Sequence, residues 1–129
     1  MVVVGLALTA LAALVHVYIF WLESIAWTGE KARATFGLRS VEEAEATRSL
    51  AFNQGFYNLF LAVAVVVGIA VVAAGSTAVG ATLVFTGAGS MVAAGLVLLL
   101  SDRSKTSAAL KQLVLPLLGV VALAIGLAA

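Results

Sequence analysis

All seven basic residues of this 129-residue chain fall in two places: Lys31, Arg33, Arg39 and Arg48 in one polar stretch, and Arg103, Lys105 and Lys111 in another. Outside those stretches the chain is almost continuously apolar. A hydrocarbon core of ~30 Å takes roughly 20 apolar residues as helix. Four runs meet that length, at about 2–27, 51–74, 77–100 and 106–129. The last is long enough only if its first turns, from about Thr106, are included. The segment between the first two runs, 28–50, is the one long polar connector.

The balance of residue types excludes a water-soluble domain. Hydrophobic residues make up 64% of the chain, charged residues 10%, and mean hydropathy is +1.20. So few charges cover only the water-facing ends of a bundle whose flanks contact lipid. The expected class is an all-α, integral membrane four-helix bundle in a single transmembrane domain, 1–129, with the lipid bilayer as its first partner. With no cysteine, disulfides, thiolate metal sites and cysteine nucleophiles are excluded.

Two other readings of the apolar runs fail. The first run is longer than the apolar stretch of a signal peptide, lacks a basic leader and is followed by no small-x-small cleavage site, so it reads as a retained span. Valine-rich stretches such as AVAVVVGIAVVAA are too long for barrel strands and show no polar alternation. The positive-inside rule then makes both basic stretches cytoplasmic and puts the N- and C-termini outside, consistent with an even number of spans. In the connector, Ser40 followed by Val41-Glu42-Glu43 has the pattern of a helix N-cap with acidic residues in the first turn. A short interfacial helix from about Val41, continuous with the second span or separate from it, is expected.

The polar residues inside the spans are the informative ones. At 100° per residue, Thr9, Ala13, His16, Phe20, Glu23 and Trp27 form one stripe on the first span. The second span opens with FNQGFYN, which places Asn53, Gln54, Tyr57 and Asn58 in its first two turns. Two antiparallel helices joined on the cytoplasmic side bring Glu23 level with Asn53 and Gln54, and His16 nearer Tyr57 and Asn58. An ionisable residue inside a membrane costs roughly 2.5–3.5 kcal/mol on insertion scales and normally faces the bundle interior. The expected ligand-binding set is therefore His16, Phe20, Glu23, Trp27, Asn53, Gln54, Tyr57 and Asn58.

HVYIFWLESIAW at 16–27, Phe36-Gly37, NQGFYNLFLA at 53–62, GSMVAAG at 89–95 and the pair Gln112-x3-Pro116 resemble a family of small four-helix bacterial membrane proteins of unknown function. The resemblance covers nearly the whole chain. It implies the four-helix architecture, a bacterial inner-membrane location and the importance of His16, Glu23, Trp27, Asn53, Gln54, Tyr57 and Asn58, and it implies no activity. The chain departs from its relatives at Val97-Leu98-Leu99-Leu100, where they tend to carry Gly-Ala-x-Thr.

Several chemistries fail on residue count. One histidine and one carboxylate two turns apart leave a metal site short of ligands, and a single histidine cannot form a bis-His haem site, so neither metal nor cofactor is expected. No basic face exists for nucleic acid. Two active readings remain beside a helper subunit of a membrane complex. One is a pocket that binds or transports a small amphipathic or lipid-like ligand, with a proton relay through Glu23 and His16. The other is a cofactor-independent enzyme of the isomerase or hydratase type on a lipophilic substrate. There, Glu23 or His16 would act as general acid/base, and Tyr57 or Asn58 would polarise an oxygen. The third span carries Gly80, Gly87, Gly89 and Gly95, a close-packing face on which a homodimer is expected.

Overall fold

The computed structural model describes all 129 residues, Met1–Ala129. Helix α1 runs over Val2–Phe20 and continues into a π-helical turn, Trp21–Ile25. The other helices are α2 (Glu30–Phe36), α3 (Val41–Ala73), α4 (Thr77–Ser101) and α5 (Thr106–Ala128), with a 3₁₀ turn, Arg103–Lys105, before the last. Four of these segments are long and apolar enough to cross a membrane. The protein is an all-helical, multi-pass membrane protein.

The polar connector is more ordered than a linker. Its Ser40 caps α3: the hydroxyl accepts from the Glu43 amide at 3.1 Å, and the Glu43 carboxylate accepts from the Arg39 amide at 2.7 Å. This is close to a capping box and satisfies amides that have no intrahelical partner. A helix does start at Val41, and it is continuous with the second span, giving a single helix of 33 residues. The short α2 was not anticipated. It ends at Gly37, whose φ of +70° places it in the left-handed region, and Leu38 donates back to the Arg33 carbonyl at 2.9 Å. That geometry explains the Phe36-Gly37 pair, because glycine takes the αL position at a helix end without a Cβ penalty. Lys105 donates to the Phe36 carbonyl, so a cation from the α4–α5 turn closes the C-terminus of α2, where the helix dipole favours it.

The four long helices run alternately up and down. Helix α1 packs on α3 and α5, and α4 packs on the same two. The core between them is built of small residues, among them Ala12, Ala13, Ala62 and Ala88, with Val65 and Met91 filling the middle. Both termini lie at one end, where Gly126 meets Val2. Both basic stretches lie at the other, as the positive-inside reading requires.

Glycine determines where the helices touch. In the half nearer the termini, Gly5 and Gly119 bring α1 and α5 together, and Gly68, Gly80 and Gly87 bring α3 and α4 together. A Cβ on Gly68 would sit 2.7 Å from the Gly80 carbonyl oxygen, and one on Gly5 would sit 2.5 Å from the Leu123 amide nitrogen. In the half nearer the charged turns the pairing changes. Gly55 now brings α3 against α1 at Phe20, and Gly95 brings α4 against α5 at Leu113. There, two helix pairs, α1/α3 and α4/α5, face one another without a glycine contact between them. Gly80, Gly87 and Gly95 are thus spent inside the chain. Only Gly89 of the third span, with nothing within 4 Å of its Cβ position, remains on the outer face.

Backbone sits at the contact, so Gly68→Val forces the helices apart and should cost about 1–3 kcal/mol, as overpacking does. Thermal unfolding in detergent should show a clear loss for Gly68→Val and none for Gly89→Ala. Equal melting temperatures for the two variants would contradict this packing.

Candidate functional site

Glu23 stands within the π turn. The Ala26 amide reaches the Trp21 carbonyl five residues back at 2.9 Å, one residue further than in an α-helix, and such turns inside helices are frequent at functional sites. The turn is braced on α3. Ser24 donates to the Phe52 carbonyl at 2.8 Å, and the Trp27 indole donates to the Ala44 carbonyl at 2.9 Å and to Thr47 Oγ1 at 3.2 Å. Trp27 also lies against Phe36 of α2, with ring centroids 5.2 Å apart.

The carboxyl group of Glu23 accepts a hydrogen bond from Asn58 Nδ2 at 2.8 Å, and the same amide donates to the Gln54 carbonyl at 3.1 Å. Glu23 is 8% exposed and Asn58 is buried. Only one carboxyl oxygen has a partner in the chain. Since no fully buried side-chain polar atom is left unpaired, the other faces open space.

Glu23 borders two such spaces, and the larger is a cavity of about 690 Å³ between the two helix pairs. On the α1/α3 side Glu23, Gln54, Tyr57 and Asn58 line it together with the apolar Val15, Ile19, Leu22 and Leu61. Ala94 and Leu98 of α4 close the far wall. Thr35 and Phe36 of α2 cover the charged end, where Asp102, Lys105, Lys111 and Gln112 form the rim. Hydrogen bonds from Ser104 hold the Asp102 carboxyl below the usual carboxylate range, so the rim carries one anion among its two ammonium groups. A shallower groove between the end of α1 and α3 lies alongside, and Glu23, Trp27, Gln54 and Tyr57 line both spaces. Tyr57 is 65% exposed. Glu23 is therefore reached from the inside of the bundle and from its flank.

The eight residues singled out in the sequence do not all gather here. Glu23, Trp27, Gln54, Tyr57 and Asn58 line the cavity, whereas Asn53 lines only the groove. Phe20 packs edge-on against Phe56, with centroids 5.1 Å apart, and lines neither space. His16 is 1% exposed and also lines neither. Its Nδ1 lies 2.9 Å from the Ala12 carbonyl, which can only accept, so Nδ1 carries a proton and the ring bonds its own helix.

The depth match holds at the backbone, since Ser24 meets Phe52. The partner of Glu23 is nevertheless Asn58, not Asn53. Helical side chains lean toward their own N-terminus. In an antiparallel pair the Glu23 side chain leans into the membrane and that of Asn58 leans out, and the two meet between their Cα levels. The rim residues Asp102, Lys105 and Lys111 were missed as site residues. The one signal the sequence holds for them is the charge of its second polar stretch.

No cluster of three or more His, Cys, Asp or Glu side chains exists that could hold a metal ion. What the site offers is a hydrogen-bonded carboxyl group in an apolar chamber with a basic rim.

Residues 10–124 match the model of a protein family described as a protein of unknown function (DUF1304). The chain belongs to that family. The match takes in α1 from Ala10 onward, both charged turns and most of α5, so the DUF1304 family model spans every helix that lines the cavity. No curated protein and no solved structure matches the chain.

Asn58→Leu leaves the Glu23 carboxyl without its donor and should cost about 1–3 kcal/mol, whereas Glu23→Leu combined with Asn58→Leu removes both polar partners and should cost less than the two single losses added together. Unfolding in detergent measures both. Strict additivity would mean that the pair does not act as a unit.

Proposed function

We propose that the protein binds a small amphipathic or lipid-like molecule in the cavity at the charged end of the bundle, in the inner membrane of a bacterial cell. The observation that carries this reading is the cavity itself. It has a volume in the range of small-molecule sites, largely apolar walls, and one intramembrane carboxyl group held at 2.8 Å by an asparagine. Intramembrane ionisable groups that face a cavity mark ligand pathways. The groove that shares Glu23, Trp27, Gln54 and Tyr57 with the cavity gives a route between the bilayer flank and the interior. Transport of the ligand along that route, between lipid and the cytoplasmic rim, extends the same reading.

One observation favours a second reading, acid–base catalysis on a bound lipophilic substrate. Asn58 orients the Glu23 carboxyl, and Glu23 and Tyr57 border the same chamber, which is how a general acid or base is presented. His16, bonded to Ala12 and outside the cavity, has no part in either reading.

Protein purified into lipid nanodiscs should retain a small hydrophobic molecule that is detectable by mass spectrometry after extraction. Ala94→Phe, which fills the chamber, should lose it, and Glu23→Gln should weaken its retention. A turned-over product in place of the retained molecule would favour catalysis. Equal retention by wild type and Ala94→Phe would sink the reading.

A further inference from the structure

The polar groups of the cavity are arranged in order along its length. At the charged end stand Lys105 and Lys111, with Asp102 beside them. The chain's single ion pair is Arg48–Glu45, so no carboxylate is salt-bridged to either lysine, and the rim keeps a net positive charge. Further in, on the α1/α3 wall, comes Glu23 with its one unpartnered oxygen. Beyond it the lining is largely apolar, with Tyr18 on α1 and Asn58 on α3 as its polar side chains. Val15 lies eight residues before Glu23 on the same helix, roughly 12 Å deeper at 1.5 Å per residue, with Ile19 between them and Leu61 opposite on α3.

This order constrains what fits. An anionic head is drawn to the lysines and disfavoured beside Glu23, so an acidic amphiphile is seated in one direction only, with its head at the rim and its chain running inward. As the chain displaces water past Glu23, the free carboxyl oxygen loses its hydrogen bonds unless the chain brings a donor. A purely aliphatic chain leaves that oxygen unsatisfied, and a hydroxyl on the chain satisfies it.

We propose that the cavity takes a single-chain amphiphile with an acidic head, carboxylate or phosphate monoester, that rests at Lys105 and Lys111, and with a chain hydroxyl that donates to Glu23. The proposal rests on the cavity being a ligand site, as proposed above, and adds the class of ligand and its direction.

Trp27 lines the cavity and is one of two tryptophans, so in a Trp21→Phe background its fluorescence reports occupancy of the site. The probes are stearate, octadecyl phosphate, stearylamine and hydroxystearates with the hydroxyl at carbon 2, 3, 10 or 12. All are titrated into nanodisc-embedded protein. At least one of the two acids should bind about tenfold tighter than the amine, and the tighter acid names the head. At least one hydroxystearate should bind about tenfold tighter than stearate, a factor that corresponds to one satisfied polar group. Lys111 is exposed, so Lys111→Gln should leave the fold intact and weaken the acids several-fold without weakening the amine. Glu23→Leu with Asn58→Leu should abolish the preference for a hydroxyl while stearate still binds. Amine binding as tight as acid, or no hydroxystearate better than stearate, overturns this inference and leaves the amphiphile reading standing. No response of Trp27 to any probe overturns both.

Discussion

The close approach of helix backbones at glycine is the constraint on which the rest of the structure depends. Lipid supplies no hydrophobic force to press transmembrane helices together, so they associate through van der Waals contact wherever small residues let backbones meet. In this chain those contacts change partners along the bundle. Gly5, Gly119, Gly68 and Gly80 join α1 to α5 and α3 to α4 near the termini, while Gly55 and Gly95 join α1 to α3 and α4 to α5 near the charged turns. A bundle pinned in both ways closes at one end and parts between its helix pairs at the other. The cavity lies at that parting. Interiors pack to crystal-like density with few voids larger than a water molecule, so an opening of about 690 Å³ follows from where the glycines stand, not from loose packing in general.

The polar chemistry follows from the same placement. Gly55 lets α3 lie against Phe20 and Ser24, which brings Asn58 to Glu23 and satisfies half of a carboxyl group that would otherwise be costly to hold in a membrane. The π turn sits at this contact, and Trp27 and Ser24 tie it to α3 from either side. At the charged end, α2 is folded over the cavity mouth by Gly37 and by the Lys105 bond to Phe36. One lysine therefore serves both the covering helix and the rim.

Much of this was legible in the sequence, and the part that was not has a physical reason. Length and apolarity alone locate the four spans, because the bilayer admits few alternatives. The Ser40 cap and the start of α3 follow from local backbone chemistry and were read correctly at Val41. The stripe on the first span puts Glu23 opposite the NQGFYN segment, and the depths match at the backbone, where Ser24 meets Phe52. Asn53 and Gln54 are level with Glu23 by Cα, yet the bond goes to Asn58, because helical side chains lean toward their own N-termini. The same stripe puts His16 in phase with Glu23 around α1. That phase does not say which neighbour the ring faces, and the Ala12 carbonyl one turn away satisfies it. The basic rim was read only as a sign of orientation. Nothing in spacing shows that Lys105 and Lys111, some fifty residues or more after NQGFYN, close the same chamber.

The central claim is that the parted end of the bundle holds a ligand against Glu23. An experimental structure of the protein in lipid nanodiscs tests it most directly. The account predicts elongated density between the α1/α3 and α4/α5 pairs, in contact with the Glu23 carboxyl and extending toward Lys111. Helix pairs closed against each other, with side chains filling the space and Glu23 turned out toward the headgroups, would contradict it.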